Sequence, residues 1–288
     1  MTKPPRTLKT LRRHIDDLDD RLHDLLMQRA VIVAEVALAK KAENIAPEAP
    51  MREAELLRRL AGRHKGAFPR GAMVRLWREM IGAAIVMQTD FSVAVAVPDS
   101  DPGVWDLARD HYGSQAAMTA YRTSVEVLRA LGENRANVGI VPVPGDGAED
   151  QWWRALASVG SGPRIVARLP FAGRGNARGN HDAFVLNRGG DGPPADRSLF
   201  VLETRGEISR GGLVTMLGSS GVDVSLLAMA RGQGDMGWSL IDIGAAVTPD
   251  DPLLPKLLAP LGERVAHVMP LGSYARGLDA EAAPATPA

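Results

Sequence analysis

The chain has no cysteine, which excludes disulfide staples, a thiolate nucleophile and a thiolate-held metal. It has no excess of either charge, because 34 basic residues balance 34 acidic ones. No field therefore argues for nucleic acid or an acidic surface as partner. Runs of about 18 apolar residues are absent, so no membrane span is expected. The opening MTKPPRTLKTLRR lacks the apolar core of a signal peptide, and a cytoplasmic location is the expectation. The 6 histidines, His14, His23, His64, His111, His181 and His267, never approach metal-ligand spacing. They are expected at the surface or in loops, and no metal or cofactor is called for. What remains is ordinary for a globular chain: 45% hydrophobic and 24% charged residues, in 288 residues that favour two or three domains.

The most informative stretch is Leu8 to Lys41, which contains neither glycine nor proline. Leu8, Ile15, Leu22 and Val36 form one series at seven-residue steps, and Leu11, Leu18, Leu25 and Ile32 form a second. These are the two seams of a helix that packs along its whole length, a rod of roughly 50 Å. One small domain cannot cover such a rod, so a partner helix is implied. Arg29 stands where the first seam calls for an apolar residue, and Lys40 follows about three turns on, near the same face. Cations on a packing seam are costly unless an anion meets them. A buried anionic ligand and a pair of snorkelling side chains are both compatible with this helix alone. Asp16, Asp17, Asp19 and Asp20 read as its solvated face.

After a loop from Asn44 to Pro50, proline at the first turn predicts a second helix ending near Gly62. A third is expected from Ala72 to about Gln88, with Met73, Trp77, Met80, Ile81, Ala84 and Ile85 inward. The period then changes. Strands are expected at Phe91–Val97, Asn137–Val143, Arg164–Leu169 and Ala183–Leu186. Helices are expected at Val104–Tyr112, Ser124–Leu131 and Gln151–Ser158, which together make an α/β lobe. Of the adjacent Trp152 and Trp153, one is expected in the core. The glycine-rich run Gly173 to Asn180 lacks the Gly-Lys-Ser/Thr of a phosphate loop and reads as a mobile loop. A Gly/Pro/Asp cluster from Gly189 to Asp196 marks a boundary. Beyond it, alternation from Ser198 to Pro270 predicts a βαββαβ ferredoxin-like sandwich, and a disordered tail begins at Asp279. The expected domains are thus 1–90, 91–190 and 197–278.

Among the polar residues of the helical part, Arg12, Arg29, Lys40 and Arg52 supply four cations, with Glu53 and Gln88 as neighbours from other helices. Arg12 lies roughly 100° around the helix from Arg29, so it is placed to reach across a dimer seam into the partner's pocket. Cations with one carboxylate and one amide fit a small polyanion carrying a hydroxyl. No nucleophile stands beside a base.

The segments LRRHIDDLDDRLHDLLMQRAVIVAEVALAK, MREAELLRRL and RLWREMIGAAIVMQ resemble the all-α chorismate mutase family, over residues 8 to about 90. The resemblance implies an intertwined helical homodimer through the long helix, with each site built from both protomers. It also implies the cofactor-free rearrangement of chorismate to prephenate. Arg29 and the partner's Arg12 match the arginines that hold the substrate carboxylates. Lys40 matches the lysine on the ether oxygen, and Gln88 the residue on that oxygen's other side. Glu53, with Arg52 beside it, matches the carboxylate that orients the ring hydroxyl. Ala49 and Ala84 depart from the family, which has an aspartate and a serine there.

SVEVLRALGENRANVGIVPV and NHDAFVL resemble a reduced prephenate dehydratase, a truncated periplasmic-binding-like α/β lobe. Asp182 and Ala183 replace that family's threonine and arginine, so dehydratase activity is expected to be lost. Ser198 to Gly277 resembles an ACT regulatory domain: Gly211-Gly212-Leu213-Val214 stands for its Gly-Ala-Leu-Val, and Leu271-Gly272-Ser273-Tyr274 matches its closing motif. Its effector motif Glu-Ser-Arg-Pro aligns with Ala228 to Arg231 and is lost, which bears on any aromatic amino acid effector. Three readings follow: a chorismate mutase, a catalytically silent regulatory or aromatic amino acid-binding protein, and a bifunctional chorismate mutase–prephenate dehydratase.

Overall fold

The structure is a computed structural model that describes residues 7–98, 102–145, 150–158, 162–188 and 195–278. The expected tail from Asp279 and most of the cluster from Gly189 to Asp196 lie outside the described residues. Among the described residues, no helix is long and apolar enough to cross a membrane.

Helix α1 (Leu8–Ala42) runs for 35 residues, as the absence of glycine and proline predicts. It starts at Thr7, whose hydroxyl accepts from the Thr10 amide, and it ends on Lys40 and Lys41, cations suited to the negative end of the helix dipole. None of its residues is buried. All eight residues of the two expected seams, from Leu8 to Val36, are between 41% and 63% exposed. Among the described residues, 7–48 and 84–90 form one compact unit, and 49–83 with those from Phe91 to Leu278 form the other.

In the second unit, helix α2 (Pro50–Arg63) begins on its proline and buries Ala54, Leu57 and Ala61. Helix α3 (Arg70–Val86) brings Met73 and Val74 against them, and Phe171 and Ala275 complete the cluster. The core of α2 and the first turns of α3 is therefore closed by residues from far along the chain. The expected boundary at residue 90 does not follow that core. Helix α3 also stops short of the expected Gln88, which sits in the turn after it with its amide on the Ile85 carbonyl at 2.9 Å.

The strands are β1 (Ser92–Ala96), β2 (Ala117–Tyr121), β3 (Val138–Pro142), β4 (Arg164–Leu169), β5 (Ala183–Asn187), β6 (Arg197–Arg205), β7 (Val224–Arg231), β8 (Met236–Ile243) and β9 (Val265–Tyr274). They form one sheet in the order β2-β1-β3-β5-β4-β9-β6-β8-β7. Helices α4 (Gly103–Tyr112), α5 (Ser124–Gly132) and α6 (Trp152–Ser158) belong to its first half; α7 (Arg210–Gly218) and α8 (Leu253–Leu258) belong to its second. The second half keeps the expected βαββαβ order, with β9-β6-β8-β7 antiparallel throughout. Strand β2 was not expected: AMTAY is an edge strand without a buried residue, so it carries no burial alternation to read.

The two halves meet where Ile165 of β4 pairs in parallel with Gly272 of β9. Gly272 has a φ of 133°, and a Cβ there would meet the Ile165 carbonyl oxygen at 2.2 Å, so only glycine permits this approach. The core crosses the same junction: Trp152, Trp153 and Phe184 share one cluster with Leu199, Val201, Leu271 and Tyr274. The expected segments 91–190 and 197–278 thus share a sheet and a core. Both tryptophans are buried, at 1% exposure each, where one was expected. Trp152 still satisfies its indole N–H, on the Pro142 carbonyl at 3.1 Å.

Candidate functional site

The expected site residues divide between the two units. In the first, Arg12 is exposed, while Arg29 and Lys40 are half-buried on a helix that is otherwise mostly open. The Lys40 ammonium donates to the Pro47 carbonyl at 2.6 Å, which fixes its direction. Ala84 is buried. Gln88 donates its Nε2 to the Ala84 carbonyl at 2.8 Å, and its Oε1 is buried without a partner. A buried polar atom left unpaired costs about 1–3 kcal/mol, so it marks a place where a hydrogen-bonding ligand would be stabilising.

In the second unit, Ala49 caps α2 without a side-chain bond, and its amide donates to Glu53 Oε1 at 3.4 Å. Arg52 is largely exposed and pairs with Glu55 at 3.2 Å along the helix surface. Glu53 is mostly buried, and its Oε2 accepts from Arg78 Nη1 at 2.8 Å. Arg78, on α3, is only 4% exposed and packs over the Phe171 ring at 5.2 Å. Burial lowers its pKa, and Glu53 opposes that shift. The apolar periodicity of α3 gave no sign of Arg78. The one available signal was polar: Arg75, Arg78, Glu79 and Gly82 repeat at helical spacing. Arg75 meets Asp110, Glu79 accepts from the Ser114 amide at 3.0 Å, and a Cβ at Gly82 would meet the Tyr112 carbonyl oxygen at 1.9 Å. This stripe lays α3 on the C-terminal end of α4.

His111 corrects the expectation that the histidines lie outside the core. It is 8% exposed, and burial together with the nearby Arg78 charge holds its pKa well below the usual range, so it is neutral. Among the described residues, no group of three His, Asp or Glu is arranged to hold a metal.

The expected mobile loop, Gly173 to Asn180, is an irregular segment tied at several points. Arg174 donates to the Asn180 and His181 carbonyls at 2.7 and 2.8 Å and also pairs with Asp182. Arg178 closes on buried Asp106 through three bonds of 2.7 to 3.0 Å. That pairing draws the Asp106 pKa down to about 2. A carboxylate with a depressed folded pKa adds stability above its unfolded value, and that stability is lost as pH falls through the folded value. The expected result is a loss of about 1–2 kcal/mol between pH 4 and 2 in acid titrations of unfolding, and a smaller loss in Asp106→Asn.

Arg168 donates to Asp182 at 2.8 Å, and Arg197 pairs with Asp242 at 2.9 Å. The Tyr274 hydroxyl donates to Asp242 at 2.5 Å; burial and that carboxylate push its pKa up to about 12. These ions neutralise one another across β4, β6, β8 and β9.

Residues 11–89 match the family model for chorismate mutase type II, so the chain carries a domain of that family at its N-terminus. Over 143 residues it is 33% identical to a bifunctional chorismate mutase/prephenate dehydratase of Stutzerimonas stutzeri, an alignment that covers 47% of this chain and 38% of that protein. The chain thus spans well under half the length of the curated relative it matches. Two solved structures share 16% identity with it, each at a TM-score of 0.46. One is a prephenate dehydratase from Arthrobacter aurescens in complex with L-Phe, covering 67% of this chain and 93% of that one. The other is GqqA, described as a novel type of quorum quenching acylase, covering 64% and 94%.

Proposed function

We propose that the chain is a chorismate mutase that converts chorismate to prephenate, acts as a homodimer through α1, and works in the cytoplasm. The observation that carries this reading is the state of α1. Two apolar seams stand open along 35 residues, the first interrupted by the half-buried Arg29, with half-buried Lys40 near the same face. A second copy of the helix would cover the seams, and an anionic substrate would meet the cations. In this reading Arg29 and the partner subunit's Arg12 hold the two carboxylates, and Glu53, with Arg52 beside it, orients the ring hydroxyl.

The reaction is a [3,3] rearrangement in which the C–O bond breaks as the C–C bond forms, with no proton or electron exchanged with the protein. Negative charge grows on the ether oxygen, so Lys40 on one side and Gln88 on the other stabilise the transition state more than the ground state. One such preorganised donor is worth about 3–4 kcal/mol. Holding the compact diaxial form adds an orientation term. The contacts missing at Ala49 and Ala84 would each have contributed about 1 kcal/mol, a secondary loss beside the charge pairs.

Residues 1–90 are proposed as the mutase domain, 91–190 as a reduced dehydratase-like lobe and 197–278 as an ACT-like domain in a structural role. Loss of dehydration is supported at Asp182, whose oxygens are taken by Arg168 and Arg174, and at Ala183, which is fully buried.

Gln88 is an amide and donates without first being protonated. The Gln88 contact therefore imposes no requirement for acid, and chorismate turnover is expected not to fall as pH rises above about 6. A rate that falls tenfold per pH unit above 6 would contradict the assignment of Gln88.

A further inference from the structure

Glu53 is the carboxylate that the mutase reading needs in one fixed orientation, yet it sits on the first turns of a short helix whose N-cap, Ala49, gives no side-chain support. Its second oxygen has only a long contact, 3.4 Å, with the Ala49 amide. The firm contact is Arg78 at 2.8 Å, with both side chains withdrawn from water at 5% and 13% exposure. A charge pair this dry stays formed only if its cation has nowhere else to go. Arg78 meets that condition because one face of its guanidinium lies over the Phe171 ring. His111 and Leu169 line the same small cleft; its carboxylate, Asp110, is already paired with Arg75, and buried, neutral His111 adds no competing anion. Phe171 follows β4 and His111 lies on α4, so both arms of this cradle come from the α/β part. The polar stripe of α3 locks that part in place through Asp110, Ser114 and the Tyr112 carbonyl.

We infer that Arg78 is a positioning residue for Glu53, and that the α/β part of the chain sets the geometry of the mutase carboxylate through Phe171 and Arg78. The inference rests on the mutase reading. It gives the reduced lobe a use that needs no dehydration chemistry: it is the wall against which the carboxylate's counter-ion is held. Arg78 touches no substrate in this account and acts only through Glu53.

The test is a double-mutant cycle on the whole 288-residue chain, using Arg78→Gln, Glu53→Gln and the two together, read as kcat and KM for chorismate. Arg78→Gln is expected to lower kcat by about tenfold with a smaller change in KM, since it disturbs an orientation rather than a charge clamp. In the Glu53→Gln background, the same change is expected to cost nothing further. Arg78→Lys, which keeps the charge, should recover part of the loss. Equal losses in both backgrounds, or a kcat untouched by Arg78→Gln, would overturn the inference. If Arg78→Gln fails to fold, Phe171→Leu decides: it keeps the ion pair and removes the ring, and a several-fold fall in kcat is expected, with an unchanged kcat counting against. Absence of turnover in the unsubstituted protein would defeat the mutase reading as well. Turnover with additive losses would defeat this inference alone.

Discussion

Lys40→Ala is expected to lower chorismate turnover by about 10²–10³-fold, with little change in the helical signal of the protein. Lys40 is half-buried, and the bond its side chain donates to the Pro47 carbonyl runs to the loop just beyond its own helix. Losing a bond of that kind costs about 0.5–1.5 kcal/mol of stability, too little to unfold a domain. In the proposed mechanism, losing the donor on the breaking C–O bond removes a contact that grows in the transition state, so the fall should appear in kcat. Arg29→Ala differs in its kinetic signature. On the proposed assignment it removes a clamp on a substrate carboxylate that is charged throughout the reaction, so KM should rise as well. A Lys40→Ala protein with unchanged kcat would remove the proposed mechanism even if the family assignment stood.

The second large effect depends on the dimer. If Arg12 serves the partner's pocket, Arg12→Ala and Arg29→Ala each destroy both sites of their own homodimer. Mixing and re-associating the two inactive proteins creates a heterodimer in which one site has lost both arginines and the other is intact. Half of randomly formed dimers are mixed, so activity should return to about a quarter of the unsubstituted value. The physical basis is the exposure of α1. Leu22, Leu25 and Ile32 are each about 60% exposed, which a helix of this apolar content does not sustain alone in water. No recovery on mixing, together with a monomeric mass in light scattering, would contradict both the dimer and the shared site.

The helices were legible because their signals are local. The glycine-free run to Lys41, Pro50 at a first turn and the stripe from Met73 to Ile85 all follow from spacing along one segment. The βαββαβ order was legible for the same reason. What escaped is long-range. Strand β2 has no buried residue, so it shows no burial alternation. The join of the two sheet halves rests on one close approach, at Gly272, and nothing in the order of strands announces that β4 and β9 are neighbours. Arg29 and Lys40 of the first helix stood out because one interrupts an apolar pattern and the other lies near the same face. Arg78 did not, because it sits on a face of α3 that is polar in sequence and buried in space. Its burial depends on Phe171 and on α4, both distant in the chain. His111 and the pair Trp152–Trp153 were misjudged for a related cause: the helices that carry them are covered on more than one side, and amphipathic spacing describes only one buried face.

The proposed activity is tested most directly in one continuous assay, in which the purified 288-residue chain is given chorismate at neutral pH and both chorismate and its products are followed. The account predicts steady loss of chorismate with equimolar prephenate accumulating and no phenylpyruvate formed from it. Chorismate left unconsumed at the uncatalysed rate would contradict it.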